Sequence, residues 1–315
     1  MTEPRPSRLF TTFAWVTYAY LLAVILFGAW VRITGSGAGC GSHWPTCHGE
    51  LIPRSPSIET MIEYTHRLTS GLCGFFALGL LGWAIKRFGA ISKVTAGAVA
   101  VLLFVIAEGA IGAGLVLAEL VADDASEARA LVISLHLVNT LTLVGASALV
   151  AWWSMPEGHD HGTLDLGRTW CVVVLIGLVV TSMSGAVTAL GDTLFPVQAQ
   201  PGVGLVDRIR EDLSAAQHFL VRLRLLHPII ACCLALVAGW VALRARDGAT
   251  GTVKRIANLA LWITVIQVVL GFTNIALAAP GWMQLLHLLV AQLLWTCFLL
   301  LFVAGSEPSP KACQA

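Results

Sequence analysis

The chain has 315 residues, of which 57% are hydrophobic and 12% charged, with a formal net charge of +1 and a mean hydropathy of +0.80. A water-soluble domain could not hide that much apolar surface, so an ordinary soluble fold is excluded and most of the chain is solvated by lipid. The net charge of +1 says nothing about partners, and no nucleic acid is expected among them.

A membrane-spanning helix needs about 20 predominantly apolar residues. Eight stretches qualify, at about 12–33, 66–85, 94–120, 130–153, 169–190, 219–243, 257–279 and 283–304. The first lacks a small-residue cleavage site and reads as a retained helix rather than a signal peptide. With an even number of spans, both termini share one side. Lys and Arg favour that side by eleven to eight, led by the short loops holding Lys86, Arg87 and Lys93 and Arg244, Arg246, Lys254 and Arg255. The positive-inside rule therefore places both termini in the cytoplasm.

In chain order, the loop after span one (34–62) is external in this topology and carries GSGAGCGSHWPTCHGE. Cys40 and Cys47 could form a structural disulfide, a redox-active pair, or part of a metal site with His43 and His48. The short loop and its external side favour a disulfide. Next, EYTHR at 63–67 puts Glu63 and His66 on one helical face at i and i+3. A helix start explains an acid and a wet histidine equally well when this motif is taken alone. Span three holds Glu108, either a proton-relay group or a hydrogen-bonded packing residue. Span four holds His136, the single ionisable group between Arg129 and Glu157.

The segment 154–168 links the first half (1–153) to the second (169–315), and His159 and His161 in it read as solvated. The loop 191–218 has no cysteine and contains DRIRED, the pattern of a short amphipathic helix. His218 opens span six in an interfacial role or as an alternative ligand. RLRLLHP at 222–228 then puts Arg224 three residues before His227, where the first half has Glu63 before His66. Span seven holds Gln267 and span eight holds His287, in the apolar WMQLLHLLVAQLLW.

These elements repeat. Glu108 and Gln267 each precede a glycine by four residues, His66 lies 42 residues before Glu108, and His227 lies 40 before Gln267. Spans one and five end in GAWVRITG and GAVTALG. A tandem duplication accounts for all of this, so the expected fold is an all-α membrane protein of eight transmembrane helices in two pseudo-symmetric four-helix bundles. An imidazole inside a membrane is costly unless partnered. One at the outer end of each even-numbered span makes two pairs, His66 with His136 and His227 with His287. Paired histidines on facing helices are the axial ligand set of a haem iron, so two haem positions are expected, both towards the outer leaflet. Arg67 and Arg129 in one half, and Arg222 and Arg224 in the other, are candidate propionate contacts, because arginine pairs bidentately with carboxylates. Snorkelling to headgroups is the plainer reading of Arg222 and Arg224.

VRITGSGAGCGSHWPTCHGE followed by EYTHRLTSG closely resembles the haem A synthase family, and the resemblance extends over nearly the whole chain. It implies oxidation of the C8 methyl of haem O to a formyl group through successive oxidations, giving haem A for terminal oxidases. It implies His66 and His136 around the substrate haem with Glu63 as the catalytic carboxylate, His227 and His287 on a haem b cofactor, and a Cys40–Cys47 disulfide. The implied setting is a bacterial cytoplasmic membrane, with lipid, haem O synthase, the assembling oxidase and a second copy of the chain as candidate partners. Two departures stand out: the second outer loop lacks the cysteine pair of many bacterial relatives, and Pro228 follows His227 where arginine is usual. The rival readings are a dihaem b-type cytochrome serving quinone-linked electron transfer, and a haem carrier or assembly factor.

Overall fold

In the computed structural model, residues 8–155, 168–196, 214 and 216–305 are described. The residues from 156 to 167, DRIRED, His159 and His161 lie outside them. The described chain is helical, and eight of its helical segments are long and apolar enough to cross a membrane. They are α1 (Arg8–Ile33), α2 (Ile58–Phe88), α3 (Lys93–Leu117), α4 (Glu127–Trp153), α5 (Arg168–Leu194), the pair α6 (Phe219–Leu223) and α7 (Leu226–Gly248), α8 (Gly251–Ala276) and α9 (Gly281–Ala304).

Two elements differ from the sequence expectation, each for a local reason. The second helix starts at Ile58 rather than near 66, because Ser57 caps it by accepting from the Thr60 N–H at 3.2 Å. Glu59, Glu63 and Arg67 hide this turn from a hydropathy reading, and they place His66 two turns inside the helix. The sixth span is broken at Arg224–Leu225 into α6 and α7. Pro228 cannot donate to the Arg224 carbonyl, and its ring crowds that carbonyl, so the helix restarts just before His227.

Helix packing divides the molecule into two closed rings. In the first half α1 packs on α2, α2 on α3, α3 on α4, and α4 back on α1. The second half repeats this order with α5, α7, α8 and α9. Contacts between the rings are reciprocal: α4 meets α5 as α9 meets α1, while the equivalent helices α4 and α9, and α1 and α5, also touch. That is the pattern of a two-fold interface within one chain. Arg32 marks the axis. It donates to the carbonyl of Ala189, its own counterpart in the repeat GAWVRITG/GAVTALG, and also to Thr193 and, at 2.9 Å, to Gln284 Oε1. Tyr18 and Thr296 share a buried hydrogen bond of 2.9 Å across the same interface.

The tightly packed core sits at one end of each ring. Phe10, Ala77, Leu80, Ala84, Ala98, Val101 and Val150 fill the first, and Val174, Val241, Ala242, Val253, Ala257 and Phe298 the second. The core stops short of the histidines. No residue is buried between Leu178 and Leu190 on α5, between 226 and 237 on α7, or beyond Thr264 on α8. On α3 the gap runs from Val101 to Ala113, around Glu108. The interior therefore loosens at the level of the histidines, in both halves.

Candidate functional site

Each histidine faces a glycine on the preceding span. A Cβ at Gly28 would lie 3.0 Å from His66 Cε1, and one at Gly185 would lie 3.0 Å from His227 Cε1. A Cβ at Gly112 would lie 3.9 Å from His136 Nε2, and one at Gly271 would lie 3.3 Å from His287 Cε1. Gly28 and Gly185 are repeat equivalents, as are Gly112 and Gly271. The duplication thus conserves a four-part unit per half, two imidazoles and the two side-chain-free positions that give them room.

Hydrogen bonding settles the ring orientation at two of the four. His136 Nδ1 lies 2.9 Å from Glu108 Oε2, and Glu108 Oε1 accepts from Thr140 Oγ1 at 2.6 Å. His227 Nδ1 lies 3.1 Å from Ser184 Oγ and 3.2 Å from the Thr181 carbonyl. Because Ser184 donates its own proton to that carbonyl, both neighbours accept from an Nδ1–H. In each case Nε2 is left with its lone pair, the tautomer a metal-binding histidine adopts. His66 Nδ1 and His287 Nδ1 are buried without a hydrogen-bond partner among the described residues. His287 Nε2 lies 3.2 Å from Gln267 Nε2.

The second pair fits a haem iron held between two imidazoles. The His227 and His287 rings are 6.4 Å apart between centroids, at 89°. Two metal–imidazole bonds of about 2 Å, with roughly 1 Å from each nitrogen to its ring centre, give nearly that separation. The glycine cradles, the loosened interior and the unpartnered ring nitrogens all lie at the same level. In each half the two histidines would hold a haem iron between them, and the bound group would supply one-electron redox chemistry.

Above the first pair sits a loop with no counterpart among the described residues of the second half. Cys40 and Cys47 are joined in a disulfide, and both are fully buried. The loop is stitched to α2 through Glu63. Glu63 Oε2 accepts from the Cys40 N–H at 2.8 Å, and Oε1 accepts from Arg67 Nε at 3.0 Å and from Arg67 Nη2. Arg67 Nη1 also donates to the carbonyls of His43 at 2.7 Å and Thr46 at 2.8 Å. Glu63 is only 3% exposed, and its carboxylate, the half-buried Arg67 and the buried Cys40–Cys47 bridge form one connected unit beneath an otherwise largely exposed loop.

The other arginines go to local partners. Arg129 Nη1 donates to the carbonyls of Ala122 and Asp124, each at 2.6 Å, with Nε buried and unpartnered. Arg224 lies 3.6 Å from Asp192 and donates to the Phe195 carbonyl. Arg222 is exposed. His218 caps α6 by accepting from the Leu220 N–H at 3.3 Å and stacks on Phe195. Sequence reasoning missed the Glu108–His136 bond, the four glycines as a set, and Arg32 as the link between halves. The common spacing of Glu108 and Gln267 to a glycine was the available signal for the first two.

Two four-helix rings, each with a facing pair of histidines at one end, define a membrane protein with twin imidazole-paired sites. The chain belongs to the cytochrome oxidase assembly protein family, whose model matches residues 11–299. Proteins from two strains of Thermus thermophilus, named protohaem IX farnesyltransferase, are 42% identical over 99% of this chain, but over 50% of their own length. The chain therefore spans about half the length of these curated relatives. The haem A synthase of Exiguobacterium sibiricum is 32% identical over 60% of this chain and 63% of its own length. That of Alkalihalophilus pseudofirmus is 36% identical over 46% of each.

Proposed function

We propose that the chain is a haem A synthase, oxidising the C8 methyl of haem O to a formyl group for terminal oxidase assembly. The observation that carries this reading is the unequal furnishing of two equal sites: both halves have the histidine–glycine unit, and one half alone pairs it with Glu63 and Glu108. The relatives named haem A synthase support it. The protein named protohaem IX farnesyltransferase, half of which matches this chain, fits a pathway in which a farnesylated haem is the substrate, and makes the haem O synthase a natural partner.

In this reading the first half (1–153) takes substrate between His66 and His136, and the second (169–315) keeps a haem b between His227 and His287. The resident haem supplies one-electron redox chemistry. Converting a methyl to a formyl group with water as the oxygen source releases protons and electrons in equal number, and the electrons must leave to an acceptor outside this chain. Glu63 is the carboxylate placed to receive protons at the haem periphery and to stabilise positive charge developing there. Arg67 and the Cys40 N–H hold that carboxylate in place, so it needs no reorganisation at the moment of reaction. The lysine and arginine bias supports cytoplasmic termini, which sets both sites towards the outer face.

The test is extraction of haem from cells carrying this chain in a background without the native enzyme. Haem A is expected beside haem B. Haem B alone, bound equally at both sites, would overturn the proposal in favour of a dihaem b-type cytochrome, the reading that the matched glycine cradles would otherwise favour.

A further inference from the structure

The two halves hold their α4-type histidines differently, and the difference lies in three positions around Glu108. In the first half a carboxylate, Glu108, accepts the hydrogen bond of the His136 Nδ1–H at 2.9 Å. Glu108 is itself fixed by the Thr140 hydroxyl at 2.6 Å, one turn beyond His136. Below it Asn139 Nδ2 donates to the Phe104 carbonyl at 3.0 Å, locking α4 to α3. In the second half the positions equivalent to Glu108, Asn139 and Thr140 are Gln267, Val290 and Ala291. Gln267 is neutral, meets His287 at Nε2 rather than Nδ1, and leaves its own Oε1 buried and unpartnered. Among the described residues no clamp equivalent to the first stands there.

We propose that Glu108 is the positioning residue of the first site: it presents Nε2 of His136 to a haem iron and strengthens it as a donor. This rests on the reading of His136 as an axial ligand. A carboxylate accepting the Nδ1 proton fixes the tautomer and ring angle and raises the basicity of the other nitrogen. A stronger donor, with a negative charge behind it, stabilises the oxidised iron. A haem in the first half is thereby held at a lower reduction potential than one in the second, where the partner is an amide. The asymmetry between substrate oxidation and electron acceptance is thus built into α3 and α8 as well as into the outer loop.

The experiment uses the full-length protein in lipid nanodiscs, titrated with protohaem IX and then poised electrochemically. Glu108→Gln, which copies the second half, should weaken haem binding at the first site about tenfold or more. It should also move the midpoint potential of that haem upwards, leaving the second haem unchanged. Glu108→Asp should recover part of both effects. Thr140→Val, which frees Glu108 Oε1 without touching either charge or ligand, should give a smaller shift in the same direction and serves if Glu108→Gln does not insert. The control is His136→Ala. If His136→Ala loses the first haem while the Glu108 and Thr140 variants keep wild-type affinity and potential, the role of Glu108 is overturned and the ligand reading stands. If His136→Ala keeps a wild-type haem spectrum, the ligand reading falls and takes this inference with it.

Discussion

The first and second halves of this chain share one architecture and differ in the polar groups set around their histidines. Both close a ring of four helices, loosen their packing at the same depth, and set two histidines against two glycines there. What differs is the chemistry one layer out. Around His66 and His136 stand Glu63, Arg67, Glu108 and a disulfide loop; around His227 and His287 stand Ser184, the Thr181 carbonyl and Gln267. In the proposed reading, duplication preserves what a haem site needs, imidazoles and room, and carboxylates, which are costly inside a membrane, are kept where protons would be handled.

The most severe way to break this comparison is to remove ligands one half at a time. His227→Ala or His287→Ala should abolish the resident b-type haem spectrum, since each would supply one of two axial bonds. His66→Ala or His136→Ala should leave that spectrum and abolish haem A. Difference spectra of the purified variants decide it: a full b-type signal after loss of His227 and His287 together would end the assignment of the halves. Next in size is Glu63→Gln, which keeps the shape of the side chain but removes its charge. General acid–base groups contribute roughly a hundredfold or more, so haem A should fall by at least that factor while haem O or its alcohol accumulates. Glu63→Asp should be milder. Wild-type haem A from Glu63→Gln would leave the carboxylate with a purely structural task, holding Arg67 and the loop.

Much of this was legible in the sequence, because the signals were periodic or repeated. Eight apolar stretches, the four histidines and the parallel order of the halves all follow from spacing alone. What stayed hidden was polar and local. The first turns of α2 are masked by Glu59, Glu63 and Arg67, so hydropathy starts that helix too late. The break at Arg224–Leu225 depends on one missing N–H at Pro228. The Glu108–His136 bond joins residues 28 apart on different helices, and nothing in the sequence says which of several polar side chains an intramembrane carboxylate will choose. Arg32 reads as one more interfacial arginine until packing places it on the axis between halves, donating to Ala189 and Gln284.

The glycines offer a gentler and paired test. Gly28→Ala and Gly185→Ala each place a methyl 3.0 Å from the nearest histidine ring carbon, closer than ordinary contact, so each imidazole must yield by a few tenths of an ångström. Gly28→Ala should lower haem A formation severalfold and leave haem b intact. Gly185→Ala should weaken or broaden the haem b signal first. Identical effects from both would show that the halves are not functionally separated at this depth.

The smallest effect should come from the disulfide, and it should fall on one half. Closing a loop of eight residues stabilises by about 2–3 kcal/mol in the chain-entropy account, a modest share for a bundle of this size. The consequence for function runs through geometry instead. Cys40 donates its backbone N–H to Glu63 at 2.8 Å, and Arg67 reaches from Glu63 to the carbonyls of His43 and Thr46 within the same loop. Opening the bridge lets this loop move and so loosens the carboxylate from one of its anchors. Cys40→Ser with Cys47→Ser, or mild reduction of the intact protein, should therefore lower haem A formation several-fold while thermal stability and the haem b spectrum stay close to wild type. Arg67→Lys should reproduce the defect with the disulfide intact, because a single ammonium cannot hold Glu63 and two carbonyls in the same fork. If the cysteine variant loses haem b and haem A together, the loop is a general staple of the fold; if Arg67→Lys is fully active, the loop does not act through Glu63.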